Sequence, residues 1–194
     1  LAQSAQTLAG PSAEHWLGTD YLGRDVFSRL LEGSRTSIVG SLEVALVAMA
    51  VGVVPGILSV YLGRGFEWVA LRLTDTLVAL PFLVFAVAVT ALLGNGISQA
   101  MLTVGVLVSP LFFRVSRAAT LAVARSQYVE AALVSGASLG WIVRRHVWAK
   151  VLPPIGVALA QTIGVGFVIV SSLTFLGIGV QPPAPTWGGL LASD

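Results

Sequence analysis

Four stretches of this chain, near Ser37 to Tyr61, Thr76 to Leu93, Ile97 to Phe113 and Leu152 to Leu173, are apolar almost without interruption. Each approaches the roughly 20 residues that an α-helix needs to cross a hydrocarbon layer about 30 Å thick, the third being the shortest. None alternates with a period of two, and within lipid only a helix satisfies its backbone inside a single segment. The chain therefore reads as all-α, a polytopic membrane helical bundle. Its 56% hydrophobic and 10% charged residues over 194 positions lie outside the usual range of soluble domains and agree with that reading.

Orientation follows from the basic residues, which short cytoplasmic loops retain. Between Arg114 and Lys150 there are six, Arg114, Arg117, Arg125, Arg144, Arg145 and Lys150, against one acid, Glu130. Residues 114–151 are thus expected to form a cytoplasmic loop. By alternation Gly63 to Asp75, with Arg64 and Arg72, is also cytoplasmic, whereas the Gly94 to Gly96 turn and an outer loop at 174–194 carry no Lys or Arg and face outward. Asn95-Gly96 reads as the tight turn between two antiparallel spans. Residues 1–36 form an outer-face segment with an amphipathic surface helix through Val26, Leu30 and Leu31, and 37–194 the transmembrane domain. The basic loop is accounted for by topology, so nucleic acid is not expected as a partner; membrane lipid is.

The basic loop has internal order. Ala131 and Ser135 are four apart, as are Ala132 and Gly136, so a helix through them presents a face of small side chains. Gly136 is placed to end that helix, and Ser138 to cap a second, short one from Leu139 to Lys150, which Pro153 and Pro154 would close. The outcome is a helix-turn-helix knob on the cytoplasmic face.

Glu130-Ala131-Ala132-Leu133-Val134-Ser135-Gly136 with Leu152-Pro153-Pro154 resembles the EAA loop of binding-protein-dependent ABC transporter permeases, the coupling helix that sits in a groove of the ATPase. The chain departs from the usual pattern in having Trp148-Ala149 where the family's Leu-Pro falls, with Leu-Pro-Pro four residues later. Two more strings are similar to the dipeptide, oligopeptide and nickel class of that family. One is His15-Trp16-Leu17-Gly18-Thr19-Asp20-Tyr21-Leu22-Gly23-Arg24-Asp25. The other runs from Phe175-Leu176-Gly177-Ile178-Gly179 through Gln181, Pro182 and Pro183 to Trp187-Gly188.

This resemblance implies a type I ABC importer permease-like fold in a bacterial or archaeal cytoplasmic (inner) membrane. It implies four spans here of about six in the family, the chain then being a fragment that lacks the first and last. It also implies two ATP-binding cassette ATPase subunits, a second, different permease subunit and an extracytoplasmic substrate-binding protein as partners. The coupling residues carried over are Glu130, Ala131, Ala132, Gly136, Ala137, Ser138, Arg144 and Arg145. Peptides, nickel or a related small solute would be the cargo.

Read from their own chemistry, the remaining polar residues leave alternatives open. Glu43 lies in the outer third of the first span, where a carboxylate must face water, meet a partner or protonate. It reads either as a pore or gate residue or as an interfacial group without a transport role. Arg24, Asp25, Arg29 and Glu32 read as a solvated loop with local ion pairs ahead of direct substrate contact. Gly52-x-x-x-Gly56 allows close helix packing, and Pro55, Pro81 and Pro110 allow kinks. Trp16, Trp68, Trp148 and Trp187 read as interfacial anchors. No Gly-x-x-x-x-Gly-Lys-Ser/Thr phosphate loop, no Cys and only His15 and His146 occur, so no cofactor, metal or catalytic site is expected in this chain, and ATP would be bound by partner subunits. A secondary transporter or channel working without an ATPase is the alternative, for which Glu43 is the one intramembrane charge on offer.

Overall fold

The computed structural model describes residues 7–94, 96–179 and 184–193. Among them every named element is helical, and the single β-bridge, Thr19 with Asp25, is isolated. The helices are α1 (Val26–Tyr61), α2 (Arg64–Ala79), α3 (Phe82–Leu93), α4 (Ile97–Ala124), α5 (Gln127–Val134), α6 (Leu139–Ile142), α7 (Trp148–Phe175) and α8 (Trp187–Ser193), with one π-helical stretch, Val143–Val147, between α6 and α7.

Three helices are long and apolar enough to cross a membrane: α1, α4 and the run Leu139–Phe175; α2 and α3 together make a fourth only as a broken pair bent by 98°. The expected span at 76–93 is corrected accordingly. Pro81 has no N–H and pushes the preceding residue out of the helical region, so Leu80 is extended (φ −75°, ψ 137°) and residues 76–79 finish α2 instead. The 12 residues of α3 cover about 18 Å, roughly half the hydrocarbon thickness.

Other expected boundaries move for a common reason: helices persist through polar residues once water can receive those side chains. No break occurs at 36, since α1 runs from Val26 to Tyr61 and absorbs the expected surface helix. Likewise α4 continues to Ala124 through Arg114 and Arg117, ten residues past the expected loop start, and residues 187–193 of the expected outer loop form α8. The second knob helix is not short either. Its Leu139 start leads through the π turn directly into α7, with Pro153 and Pro154 inside that helix. A proline deletes its own N–H and leaves the rest of the ladder, and in the first two turns of α7 the orphaned carbonyls are near the aqueous end. Pro55 and Pro110 likewise lie inside continuous helices. The expected turn at Asn95 and the prolines Pro182 and Pro183 with Gln181 lie outside the described residues.

The bundle is built on α1 against α4, with α7 packed on both. Glycines set the distance between the first two. A Cβ on Gly52 would fall 2.4 Å from the Ser109 carbonyl oxygen, one on Gly56 2.0 Å from Ser116 Oγ, and one on Gly105 2.6 Å from Val47. The Gly52-x-x-x-Gly56 pair thus holds a helix of its own chain. One apolar core, around Val44, Met101, Val104, Val170 and Leu173, fills the half away from the basic end. A second, around Val53, Ile57, Phe112 and Val151, extends out of the spans into the basic end through Val123, Val129, Ile142 and Val147. Some buried hydroxyls avoid a desolvation cost by donating back along their helix, as Thr90 to Ala86 (2.7 Å) and Thr120 to Ser116 (2.7 Å) do, whereas those of Ser37 and Thr162 have no partner among the described residues.

Candidate functional site: the helical knob at the basic end

The knob begins where α4 ends at Ala124, with Arg125 as its C-cap, and α5 starts at Gln127. Gly136 (φ +84°) terminates α5, a conformation that a side chain would strain. Around it the Ala137 N–H donates to the Ala132 carbonyl (2.9 Å) and the Gly136 N–H to that of Leu133 (3.0 Å), the pair of bonds that defines a Schellman end. Two residues later Ser138 caps α6 by accepting from the Trp141 N–H at 3.3 Å. Both the stop at Gly136 and the start at Ser138 stand where the sequence puts them.

What fastens the knob is less visible in the sequence. Val129 of α5, Ile142 of α6 and Val147 of the π turn are buried in the inner core with Val123 of α4 and Ile57 of α1. Across the turn, the His146 ring lies 5.3 Å from Tyr128 and 5.2 Å, edge on, from Trp141, so three rings tie α5 to the π turn. Tyr128 was missed because its neighbours offer no pattern that points to a residue 18 positions away. Its spacing of one before buried Val129 is the only local signal.

The outward face divides the predicted residues. Glu130, Ala131, Ser135, Gly136 and Ser138 are exposed together, whereas Ala132 and Ala137 turn partly inward, Ala137 against the core. Beside the small side chains stand exposed apolar ones, Val134 at 90% and Trp141 at 44%, which is unusual for a surface facing water. Arg144 and Arg145 line a depression with Trp141, and among the described residues neither they nor Glu130 has an ion pair. An added Cβ at Gly136 or Gly140 would meet nothing within 4 Å in this chain. The knob is fastened at its base and leaves Ala131, Ser135, Gly136, Val134, Glu130, Arg144 and Arg145 exposed.

Two basic residues of the expected loop are spent elsewhere. Arg117 pairs with Glu67, and Arg114 with Asp75 at 3.2 Å, clamping α2 across the inner third of α4. At the opposite end, residues 7–25 form an ordered cap. The Asp20 carboxylate accepts from the Leu22 and Arg24 N–H groups (both 2.9 Å) and from Arg24 Nε (2.7 Å), with Arg29 Nε at 3.7 Å. Asp25 is the N-cap of α1, accepting from the Ser28 N–H (2.7 Å) and Oγ (2.5 Å), and faces His15 Nδ1 at 3.1 Å. The expectation of a solvated charged loop is corrected here. Asp20 is 4% and Arg29 5% exposed, because a segment closed by Gly18 and Gly23 folds its charges inward onto each other. Burial alone would raise the Asp20 carboxyl, but the Arg24 and Leu22 bonds outweigh it and hold it below its ordinary value; Asp25 is held low chiefly by Ser28.

Trp187 is not a lipid anchor but a strut. Its ring stacks on Phe167 at 5.6 Å and its Nε1 donates to Ser34 Oγ at 3.1 Å, which seats α8 between α1 and α7. Trp148 is partly buried against the inner core, and Trp16 and Trp68 are exposed. Glu43 is half-buried on α1 and, among the described residues, without an ion pair.

Residues 27–193 match the family described as binding-protein-dependent transport system inner membrane component. The chain belongs to this family. Among curated relatives, the inner membrane component described here is similar to the glutathione transport system permease protein GsiD of Pectobacterium atrosepticum, 38% identical over 182 residues, 94% of this chain and 60% of the relative. It is also similar to the probable D,D-dipeptide transport system permease protein DdpC of Escherichia coli, 37% identical over 186 residues, 96% of this chain and 62% of the relative. The chain thus spans about three fifths of the length of these relatives. As an inner membrane component it has helices that meet the membrane-crossing criterion, and its multi-pass, helical character is established by family and fold together.

Proposed function

We propose that this protein is the membrane-spanning subunit of an ATP-driven importer in a bacterial or archaeal inner membrane, forming half of a translocation pore. Two ATP-binding cassette ATPases dock on the cytoplasmic loops of the permease pair, on this chain through Glu130, Ala131, Gly136, Ser138, Arg144 and Arg145 of the knob, while Ala132 and Ala137 hold its turn together. A second, different permease completes the pore, and an external binding protein delivers the solute to the outer cap. Nucleotide is bound and hydrolysed by the ATPases and not by this chain. The carrying observation is mechanical. The knob shares one apolar core with α1, α4 and α7, so a push on it is delivered to the spans as rigid-body motion. The names of the two relatives, which refer to glutathione and D,D-dipeptide transport, favour a short peptide over nickel as the cargo.

The test is purification of the full-length protein from its native membrane in mild detergent, with every partner identified by mass. An ATPase, a second permease and a binding protein are expected. Recovery alone or as a homo-oligomer, under conditions that keep a known importer intact, would exclude the reading and leave Glu43 as the starting point for an ATPase-independent transporter or channel.

A further inference from the structure

On α1, Glu32, Arg35, Thr36 and Glu43 follow one another at helical spacing and line one groove of about 350 Å³, whose other wall is Ile97 and Ser98 at the start of α4. Elsewhere at this end of the molecule Asp20 pairs with Arg24 and Arg29 and Asp25 with His15, while exposed Glu14 has no ion pair among the described residues. In the groove, among the described residues, Glu32, Arg35 and Glu43 have no ion pair and no side-chain hydrogen bond. Arg35 stands at the outer mouth. Glu43 lies eight residues further toward the basic end, about 12 Å along the helix, inside the apolar part of the span. A carboxylate at that depth that stays ionised needs water or a polar occupant, which the groove has room to hold.

Arg35, with Glu32 one turn beyond it at the mouth, and Glu43 about 12 Å deeper place a cation and an anion at the separation of a solute with opposite charges at its two ends. An extended chain spans about 3.3–3.6 Å per residue, so three or four residues match the separation. We propose that this face of α1 is a charge-reading path for a short zwitterionic peptide, with Arg35 meeting its carboxylate and Glu43 drawing its ammonium inward. Selection would then take place in the permease as well as in the binding protein. The inference rests on the importer reading above.

The test uses the purified complex in proteoliposomes, with ATP on the ATPase side and saturating binding protein outside, and compares uptake of trialanine and trialanine amide. Taking one partly solvated ion pair as worth about fivefold, Arg35→Gln should lower trialanine uptake by that factor and leave the amide, which has no carboxylate, close to wild type. Glu43→Gln should lower both, since both have the ammonium group. If wild type carries trialanine and neither variant changes either rate, the path is refuted while the importer reading stands. Equal loss of both peptides in both variants, with loss of assembly, would make the groove a packing surface and also refute it. If wild type carries neither peptide, the peptide reading falls and takes the path with it.

Discussion

Single residues in this protein are constrained by contact at some positions and by backbone conformation at others. At Gly188 the limit is contact, since a Cβ would lie 1.9 Å from the Ser171 carbonyl oxygen and 2.3 Å from Thr174 Oγ1. Gly188→Ala is expected to weaken the seat of α8 by about 1–3 kcal/mol, as overpacking does. Faster hydrogen exchange in residues 187–193, with no change at the knob, would show it; unchanged exchange would mean the contact relaxes freely. Asp20 and Asp25 set a pH limit on the cap formed by residues 7–25. Both carboxyls are held low in the folded cap, so the stability they contribute is complete above their unfolded value near 3.9 and is lost as pH falls through the lower folded values. The cap should therefore stay closed at neutral pH and loosen below about pH 4, with Asp20→Asn loosening it already at neutrality. Proteolysis within residues 7–25 as a function of pH reads this directly, and a cap that opened on raising the pH would contradict the sign. Asp25 as N-cap was legible in principle from Asp25-x-x-Ser28 ahead of an apolar run. The inward fold of Asp20 and Arg29 was not, because exposure of a charge depends on which chain segments close over it.

At the scale of elements, the knob behaves as a lever because its ends are defined by local chemistry and its base by the core. Gly136→Val puts a β-branched residue at φ +84° while meeting no neighbour, so it should disturb the α5–α6 turn and spare the spans. Its expected signature is assembled complex that hydrolyses ATP with solute uptake reduced at least about tenfold, roughly the effect of 1.4 kcal/mol in coupling. Normal uptake by assembled complex would end the lever idea. The stop at Gly136 and the cap at Ser138 are local and readable from residue type alone. By contrast the merger of α6 with α7 ran against reading Pro153-Pro154 as a helix stop, since a proline costs a hydrogen bond that this position near water can spare. Pro81 shows the opposite outcome. The same residue type breaks the chain between α2 and α3, where the ion pairs from Glu67 and Asp75 hold α2 across α4 and away from the line of α3.

For the whole molecule, the two surfaces with a proposed role are the knob and the α1 groove. Exposed Val134 and Trp141 beside Arg144 and Arg145 should lose exchange and labelling accessibility when the ATPases bind, and Trp141→Ala should weaken that association by about 2 kcal/mol, as removal of a central aromatic does. Titration of detergent-solubilised permease with its ATPase measures it. Full protection elsewhere with none over residues 127–147 would move the docking surface off the knob. The cytoplasmic assignment of that surface came from the excess of basic residues alone, and the paired Arg114 and Arg117 show that part of this charge serves packing within the chain.

Composition and apolar runs without period-two alternation were enough to determine a helical membrane bundle, since within lipid only a helix satisfies its backbone inside a single segment, and three short strings were enough for the family. Turn ends set by one residue's own φ or hydroxyl, at Gly136 and Ser138, were determined as well. Tertiary structure decided the rest: that Gly52 and Gly56 serve α4, that Tyr128, Trp141 and His146 meet, that α1 runs unbroken from the cap through its span, and that Glu43 shares a groove with Arg35. The physical reason is one of range. Helix signals act within a few residues, whereas contacts between helices depend on rotations and crossings that an almost uniformly apolar sequence leaves open.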